Sequence, residues 1–420
     1  MHGRLIATGG DGVCVRRLGG DRAGEIRLTR FLRNEAVTAK EMFATAGARA
    51  RARCVGRHVL AIQDTTVVRS SGGGGLYLHP TIAVDAQDGA VLGLVHAQFL
   101  QRESGRKAQR RARPIEEKES WRWIEGARAA AQIGADAQQI TVIADRESDI
   151  FAAFALRPPS VDLVLRAAQD RSVEGDALLF ARIDALAPAG QTLLSLPAKP
   201  GRRARQAKLA VRFDRVKIIK PKNGVDKGWP ETIAVNVVDL REIDPPPGEA
   251  VHWRLITTRP VGVMEEALEV ADLYRRRWAI EQLFRAMKTQ GFDIEALRIA
   301  DDEPFSKLAA AALIAAIAVQ QLVHARDGGP IERLRPASDA FELDDAPLLE
   351  AFCAKLEGKT ACQKNPHPKG SLAYAAWVCA RLGGWTGYYG KPGPIVMLNG
   401  WRKLQNARDA LTALAEFNDV

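Results

Sequence analysis

The sequence predicts an α/β fold with a mixed central sheet flanked by helices. It also predicts a β-rich insertion, a short helical region at the start and a longer one at the end. Three observations carry this. Short apolar runs that end in polar residues, VLAIQDTTV at 59–67 and ITVIADRESDIF at 140–151, read as buried strands. They alternate with helical stretches at 23–53 and 114–134, the pattern of a layered α/β domain. Residues 170–260 then change character, with strand-like pieces broken by Pro197, Pro200, Pro221, Pro230 and Pro245 to Pro247.

The elements follow in order. Residues 1–22 hold six glycines and no periodicity, which predicts a loose tail. Within 23–53 the string TAKE at 38–41 is a capping-box pattern, with Thr38 and Glu41 placed to satisfy a helix start. SSGGGGL at 70–76 predicts a flexible loop. TIAVD at 81–85 and AVLGLVHAQFL at 90–100 predict a hairpin around Gln87, Asp88 and Gly89. VDLVLRA at 161–167 is a further strand, helices resume at 263–290 and 304–326, and 330–420 is mostly helical.

Bulk properties narrow the function classes. With 420 residues the chain buries a sizeable core. A formal net charge of +10 favours a polyanionic partner. The five cysteines form no CxxC and no even framework, which predicts reduced thiols in a cytosol, and the seven histidines form no zinc pattern. The most apolar run, LAAAALIAAIAV at 308–319, is too short to span a bilayer and predicts a buried helix and no membrane partner.

One helical stretch, DLYRRRWAIEQLFRAMKTQ at 272–290, carries Tyr274, Arg277, Glu281 and Lys288. At roughly 100° per residue these four fall within about 60° of one another on a helix wheel. A core-facing stripe would be apolar instead. Two more acids sit at strand ends, Asp64 in IQDTT and Asp145 in ADRESD. Three carboxylates converging beyond strand ends would hold two divalent cations, which favour hard oxygen ligands. Two such ions can activate water and stabilise the leaving oxygen at a phosphodiester. Arg277 can grip phosphate bidentately and Lys288 as a point charge. Each acid also has an ordinary reading: Asp145 as a helix cap, Asp64 as a turn residue, and Glu281 as an i,i+4 partner of Arg277 or Arg285.

The spaced string Tyr274, Arg277, Glu281, Lys288 resembles the Y-R-E-K signature of bacterial cut-and-paste insertion-sequence transposases of the DDE class. IQDTT and ADRESDIF resemble the flanks of that family's two catalytic aspartates, and the likeness runs from about residue 30 to the C-terminus. The resemblance implies an RNase H-like fold with a catalytic and metal-binding triad of Asp64, Asp145 and Glu281 using two Mg²⁺ or Mn²⁺ ions. It implies nicking of the element end, a hairpin intermediate and joining of the freed 3′-OH to target DNA. Tyr274, Arg277 and Lys288 would bind phosphates. Trp253 matches a tryptophan that stacks on a flipped base, although a strand Trp is ordinarily core packing, and Arg166 matches an arginine near the active site. Partners would be double-stranded DNA, as inverted-repeat ends and target, and a second copy in a synaptic homodimer, in the bacterial cytoplasm at the nucleoid.

Divided accordingly, 1–57 is a tail and partial helical end-binding region. Residues 58–169 and 261–327 are the two parts of the catalytic core, 170–260 the β-rich insertion and 328–420 a helical dimerisation region. The family's end-recognition region is longer than the one visible here, so a truncated or mis-started copy is expected, with intact catalytic geometry and weakened end recognition. The basic runs at 102–113 and 201–220 suit contact with a DNA backbone, or are solvated faces. Two rival readings remain at this stage: a structure-specific nuclease on the same fold, and an inactive DNA-binding relative that inhibits transposition.

Overall fold

A computed structural model describes the chain apart from residues 11–12, 72–73, 102–112, 199–202, 223–225, 227, 249, 298 and 419–420. At its centre lie strands β1 (His58–Gln63), β2 (Thr66–Ser71), β3 (Gly74–Asp85), β4 (Val91–Gln101), β5 (Gln139–Ala144) and β6 (Val161–Arg166). The neighbours run β4-β3-β1-β5-β6, with β1, β5 and β6 parallel and β3 antiparallel to both β1 and β4. This is an RNase H-like arrangement. The β3–β4 hairpin closes where DG punctuation predicts it, with Gly89 at φ 77°, a conformation that L side chains rarely adopt.

β1 and β2 lie along the same edge of β3, pairing Gln63 with Thr81 and Thr66 with Leu78. Asp64 and Thr65 occupy the break between them. The stretch expected as a glycine loop is instead a hairpin, since β2 and β3 pair as far as Ser71 and Gly74, and its turn residues 72–73 lie outside the described residues.

The β-rich stretch prolongs the same sheet. β7 (Ser172–Val173), β8 (Ala177–Leu178), β9 (Gly190–Leu196), β10 (Arg205–Ile219), β11 (Thr232–Glu242) and β12 (His252–Thr257) follow in the chain. β12 docks antiparallel on β6, and β11, β10, β7 and β8 continue outward. Much of the basic run at 201–220 is internally paired: Arg205 with Glu242, Lys217 with Glu174, Lys220 with Glu231, and Arg212 with the Leu186 carbonyl. The run at 102–113 lies outside the described residues except for Arg113.

Both faces of the central strands are covered. Along β1, Leu60 and Ile62 belong to one core, Val59 and Ala61 to the other. The second core is filled by α5 (Trp121–Ile133), α6 (Phe151–Ala155) and α7 (Leu179–Asp184). The first is filled by α8 (Met264–Arg275), α9 (Trp278–Met287), α10 (Asp302–Ala325), α12 (Leu372–Leu382) and α13 (Pro394–Asn418). Before β1 come α1 (His2–Ala7), α2 (Val15–Gly19), α3 (Arg22–Arg33) and α4 (Ala39–Cys54), whose Thr38 cap accepts from the Glu41 amide at 3.1 Å; α11 is Ala346–Leu356. Helix α10 is long and apolar enough to cross a membrane by composition, and in the fold it is core.

Two further expectations need correction. Residues 1–22 are not a loose tail: Leu5 and Ile6 of α1 are fully buried, His2 meets Trp401 edge-on at 5.6 Å, and Leu18 of α2 is 2% exposed. Contacts with a helix nearly 400 positions away order a segment that lacks local periodicity. The stretch 272–290 is not one α-helix. Between α8 and α9 the amides of Arg276, Arg277, Ala279 and Ile280 each bond to the carbonyl three residues back, at 3.0–3.2 Å. Such bonds tighten the chain into a 3₁₀ turn, in which residues i and i+3 eclipse.

Candidate active site

The sheet's register assembles half of the site. β1 and β5 pair Ile62 with Ile143, so Asp64 and Asp145 follow two residues further on, each just past the end of its strand on neighbouring strands. β5 and β6 pair Ala144 with Leu165, which places Arg166 next in the row. β12 pairs Leu255 with Arg166, and Trp253 lies two residues nearer the same edge. Side chains alternate along strands with period two. Ile62, Ile143, Val164 and Leu255 all belong to the first core, so Asp64, Asp145, Arg166 and Trp253 share that face.

The other half descends from the α8–α9 turn onto this face. Because the 3₁₀ turn eclipses Tyr274 and Arg277, the Arg277 guanidinium lies over the Tyr274 ring at 5.9 Å. Trp253 meets that ring edge-on, with centroids 5.8 Å apart. One Arg277 nitrogen donates to Asp64 Oδ2 at 2.8 Å and the other to Glu281 Oε1. The i,i+4 pairing of Glu281 with Arg277 and its place beside Asp64 are therefore both realised. So is the capping by Asp145: its Oδ1 accepts from the Glu147 amide at 3.0 Å and starts the short 3₁₀ turn Arg146–Ser148.

Electrostatics bear out the crowding. Burial, then repulsion from Asp145 and Glu281, pushes the Asp64 carboxyl up to about 6, against the pull of the Thr65 amide and Arg277. Burial also pushes the Tyr274 phenol up, although Arg277 and Arg166 favour its ionised form. Burial alone would lower the Arg277 value; Tyr274, Asp64, Glu281 and Asp145 together outweigh it and hold the guanidinium firmly charged.

The structure thus gathers Asp64, Asp145, Glu281, Arg277, Tyr274, Arg166 and Trp253. It does not bring in Lys288. That residue ends α9, about 10 Å along the axis from Glu281, and pairs with Glu295 at 2.7 Å. As donors, three carboxylates, two of them bridged by the Arg277 guanidinium, suit a hard divalent cation. Among the described residues, however, no group of three or more acids, histidines or cysteines is drawn together tightly enough to ligate a metal. Arg277 stands between Asp64 and Glu281, where a cation would have to enter.

Sequence reasoning missed the polar support beneath the aspartates. Arg122, in the first turn of α5, is 4% exposed and reaches both Thr65 and Glu147, the neighbours of the two acids. Asp149 is buried and takes the amides of Ala168 and Gln169 at 2.7 and 2.9 Å, fastening the segment that follows Arg166. The spacing of Asp145, Glu147 and Asp149 was the available signal. A family model described as a transposase DDE domain matches residues 56–318, the stretch that holds Asp64, Asp145 and Glu281, and the chain belongs to that family.

Proposed function

We propose that the chain cleaves insertion-sequence ends and joins them to target DNA, with Asp64, Asp145 and Glu281 as the acids of the reaction centre. The observation that carries this is their convergence on one sheet face around Arg277. Divalent metal ions are the family's usual cofactor; held by these three acids, two Mg²⁺ or Mn²⁺ ions would supply Lewis-acid activation of the attacking and leaving oxygens.

The chain's own residues do the rest. Water attacks phosphorus at the element end, the P–O3′ bond breaks and a 3′-OH is released. That hydroxyl attacks the opposite strand, giving a hairpin and freeing the flank. Hydrolysis reopens the hairpin, and the same 3′-OH then attacks target DNA. Arg277 and Arg166, with Tyr274 beside them, hold the phosphates of the transferred strand. The half-buried Trp253 ring stacks on a base turned out of the duplex, offsetting part of a few kcal/mol of unstacking. The exposed Leu411 and Leu414 on α13 support a second copy docking there in the synaptic complex. Placing Lys288 among the phosphate ligands requires α9 to re-aim it away from Glu295 on binding DNA.

The test uses duplexes that carry the inverted repeats flanking the gene, with Mg²⁺. Parent protein is expected to nick, form hairpins and join strands, while Glu281→Ala binds the same DNA and does none of these. A Glu281→Ala protein that joins ends at the parental rate removes Glu281 from the centre. Cutting without joined product by the parent makes the chain a nuclease.

A further inference from the structure

The two catalytic-candidate loops are tied to each other by one buried cation. Arg122 Nε donates to Thr65 Oγ1 at 3.2 Å, and its terminal nitrogen donates to Glu147 Oε2 at 2.6 Å. The remaining nitrogen donates to the Glu119 carbonyl at 2.8 Å and its carboxylate at 3.2 Å. The amide of Thr65 donates to Asp64 Oδ1 at 2.8 Å, and that of Glu147 donates to Asp145 Oδ1 at 3.0 Å. So each residue that Arg122 grips also orients one of the two acids through its own backbone.

Behind Thr65 lies a buried polar chain. Gln63 Nε2 donates to the Trp123 carbonyl at 3.3 Å, and Gln63 Oε1 lies 3.2 Å from His79 Nε2. His79 is fully buried and its Nδ1 lies 2.9 Å from the Thr65 hydroxyl, so that hydroxyl is held between His79 and Arg122.

We propose that Arg122 is a positioning residue: acting through Thr65 and Glu147, it sets the separation and aim of the Asp64 and Asp145 carboxylates for a shared metal pair. This rests on the proposed metal reading of the acids. Partners one step behind metal ligands typically change affinity by about 10- to 100-fold when lost.

Mn²⁺ titration of the full chain without DNA, read by electron paramagnetic resonance of the free ion, tests the claim apart from activity. Arg122→Met and Thr65→Val are expected to weaken Mn²⁺ binding at least about tenfold, while Thr65→Ser, which keeps the hydroxyl, binds as the parent does. A merely structural role would lower the melting temperature and leave Mn²⁺ affinity unchanged. Parental affinity in both variants overturns the positioning role and leaves the metal reading standing. Parent protein whose Mn²⁺ binding does not depend on Asp64, tested with Asp64→Ala, overturns the metal reading and this inference together. Should Arg122→Met fail to fold, the Thr65→Val and Thr65→Ser pair decides the question alone.

Discussion

Replacing Asp64 with Asn should stabilise the protein in the absence of metal. The Asp64 carboxyl titrates at about 6 in the fold, against an ordinary value of 3.8. Each unit corresponds to about 1.4 kcal/mol, so the ionised carboxylate costs the native state about 3 kcal/mol at pH 8. The sign follows from the folded value being the higher one. Below about pH 4 the stabilising effect of protonation is nearly complete, and it is lost as pH rises through 6. At pH 5 roughly half of the penalty is already relieved. Asn imitates the protonated form and retains a carbonyl oxygen for the Thr65 amide; its amide nitrogen replaces the oxygen that accepts from Arg277, so Arg277 is left with Glu281 and the gain falls short of the full penalty. With unfolding entropy of roughly 2 cal/mol/K per residue, a gain of up to about 3 kcal/mol in this 420-residue chain raises the melting temperature by up to about 3 °C. Calorimetry with a chelator at pH 8 and at pH 5 measures it. A variant no more stable than the parent at pH 8, or a gain that does not shrink at pH 5, would refute the account of a strained carboxylate.

Two further outcomes follow from other parts of the structure. Trp253→Ala removes a half-buried ring at the site's edge, and loss of base stacking at about 1–3 kcal/mol slows hairpin formation by about fivefold to a hundredfold while first-strand nicking changes little. Time courses of nicked and hairpin product measure this, and equal slowing of both steps counts against stacking. Lys307→Met keeps the length of a fully buried side chain but leaves the Leu32 and Asn34 carbonyls, now 3.0 and 2.9 Å from the ammonium, without their donor. A loss of about 2–4 kcal/mol in urea unfolding is expected, and an unchanged midpoint would show that these bonds do not hold α3 to α10.

What was legible in the sequence was local. Acid at a strand end, Asp-Gly at a hairpin, Thr before a helix and an i,i+4 Arg–Glu pair are all decided within a few residues, and all are found. What was hidden depends on distant partners. The glycine-rich start carries no helical period, yet Leu5 and Ile6 are buried against α13 and α10. Nothing in Arg275, Arg276, Arg277 and Trp278 breaks a helix, and the 3₁₀ turn there arises as the chain packs Tyr274 over Trp253 while Arg277 reaches Asp64. The strands of 170–260 were readable as strands, but their pairing onto β6 was not, because register is a property of two segments. Arg122, flanked by Trp121 and Trp123 at a helix start, reads as an ordinary amphipathic position until Thr65 and Glu147 are seen on either side of it.

The place of Arg277 joins the charge balance of the site to the order of events. Three converging carboxylates without a counter-ion would repel one another, and Asp64, raised first by burial and then by Asp145 and Glu281, is only partly relieved by Arg277. A guanidinium bonded to Asp64 and Glu281 at once is therefore an internal cation that lets the site fold before any metal or DNA arrives. The same five-donor fork matches phosphate as well as carboxylate. Phosphate arriving at Arg277 would draw it off the acids, and the two carboxylates it releases are those a divalent ion needs. Binding of the DNA strand and loading of a cation would then favour each other through a single side chain.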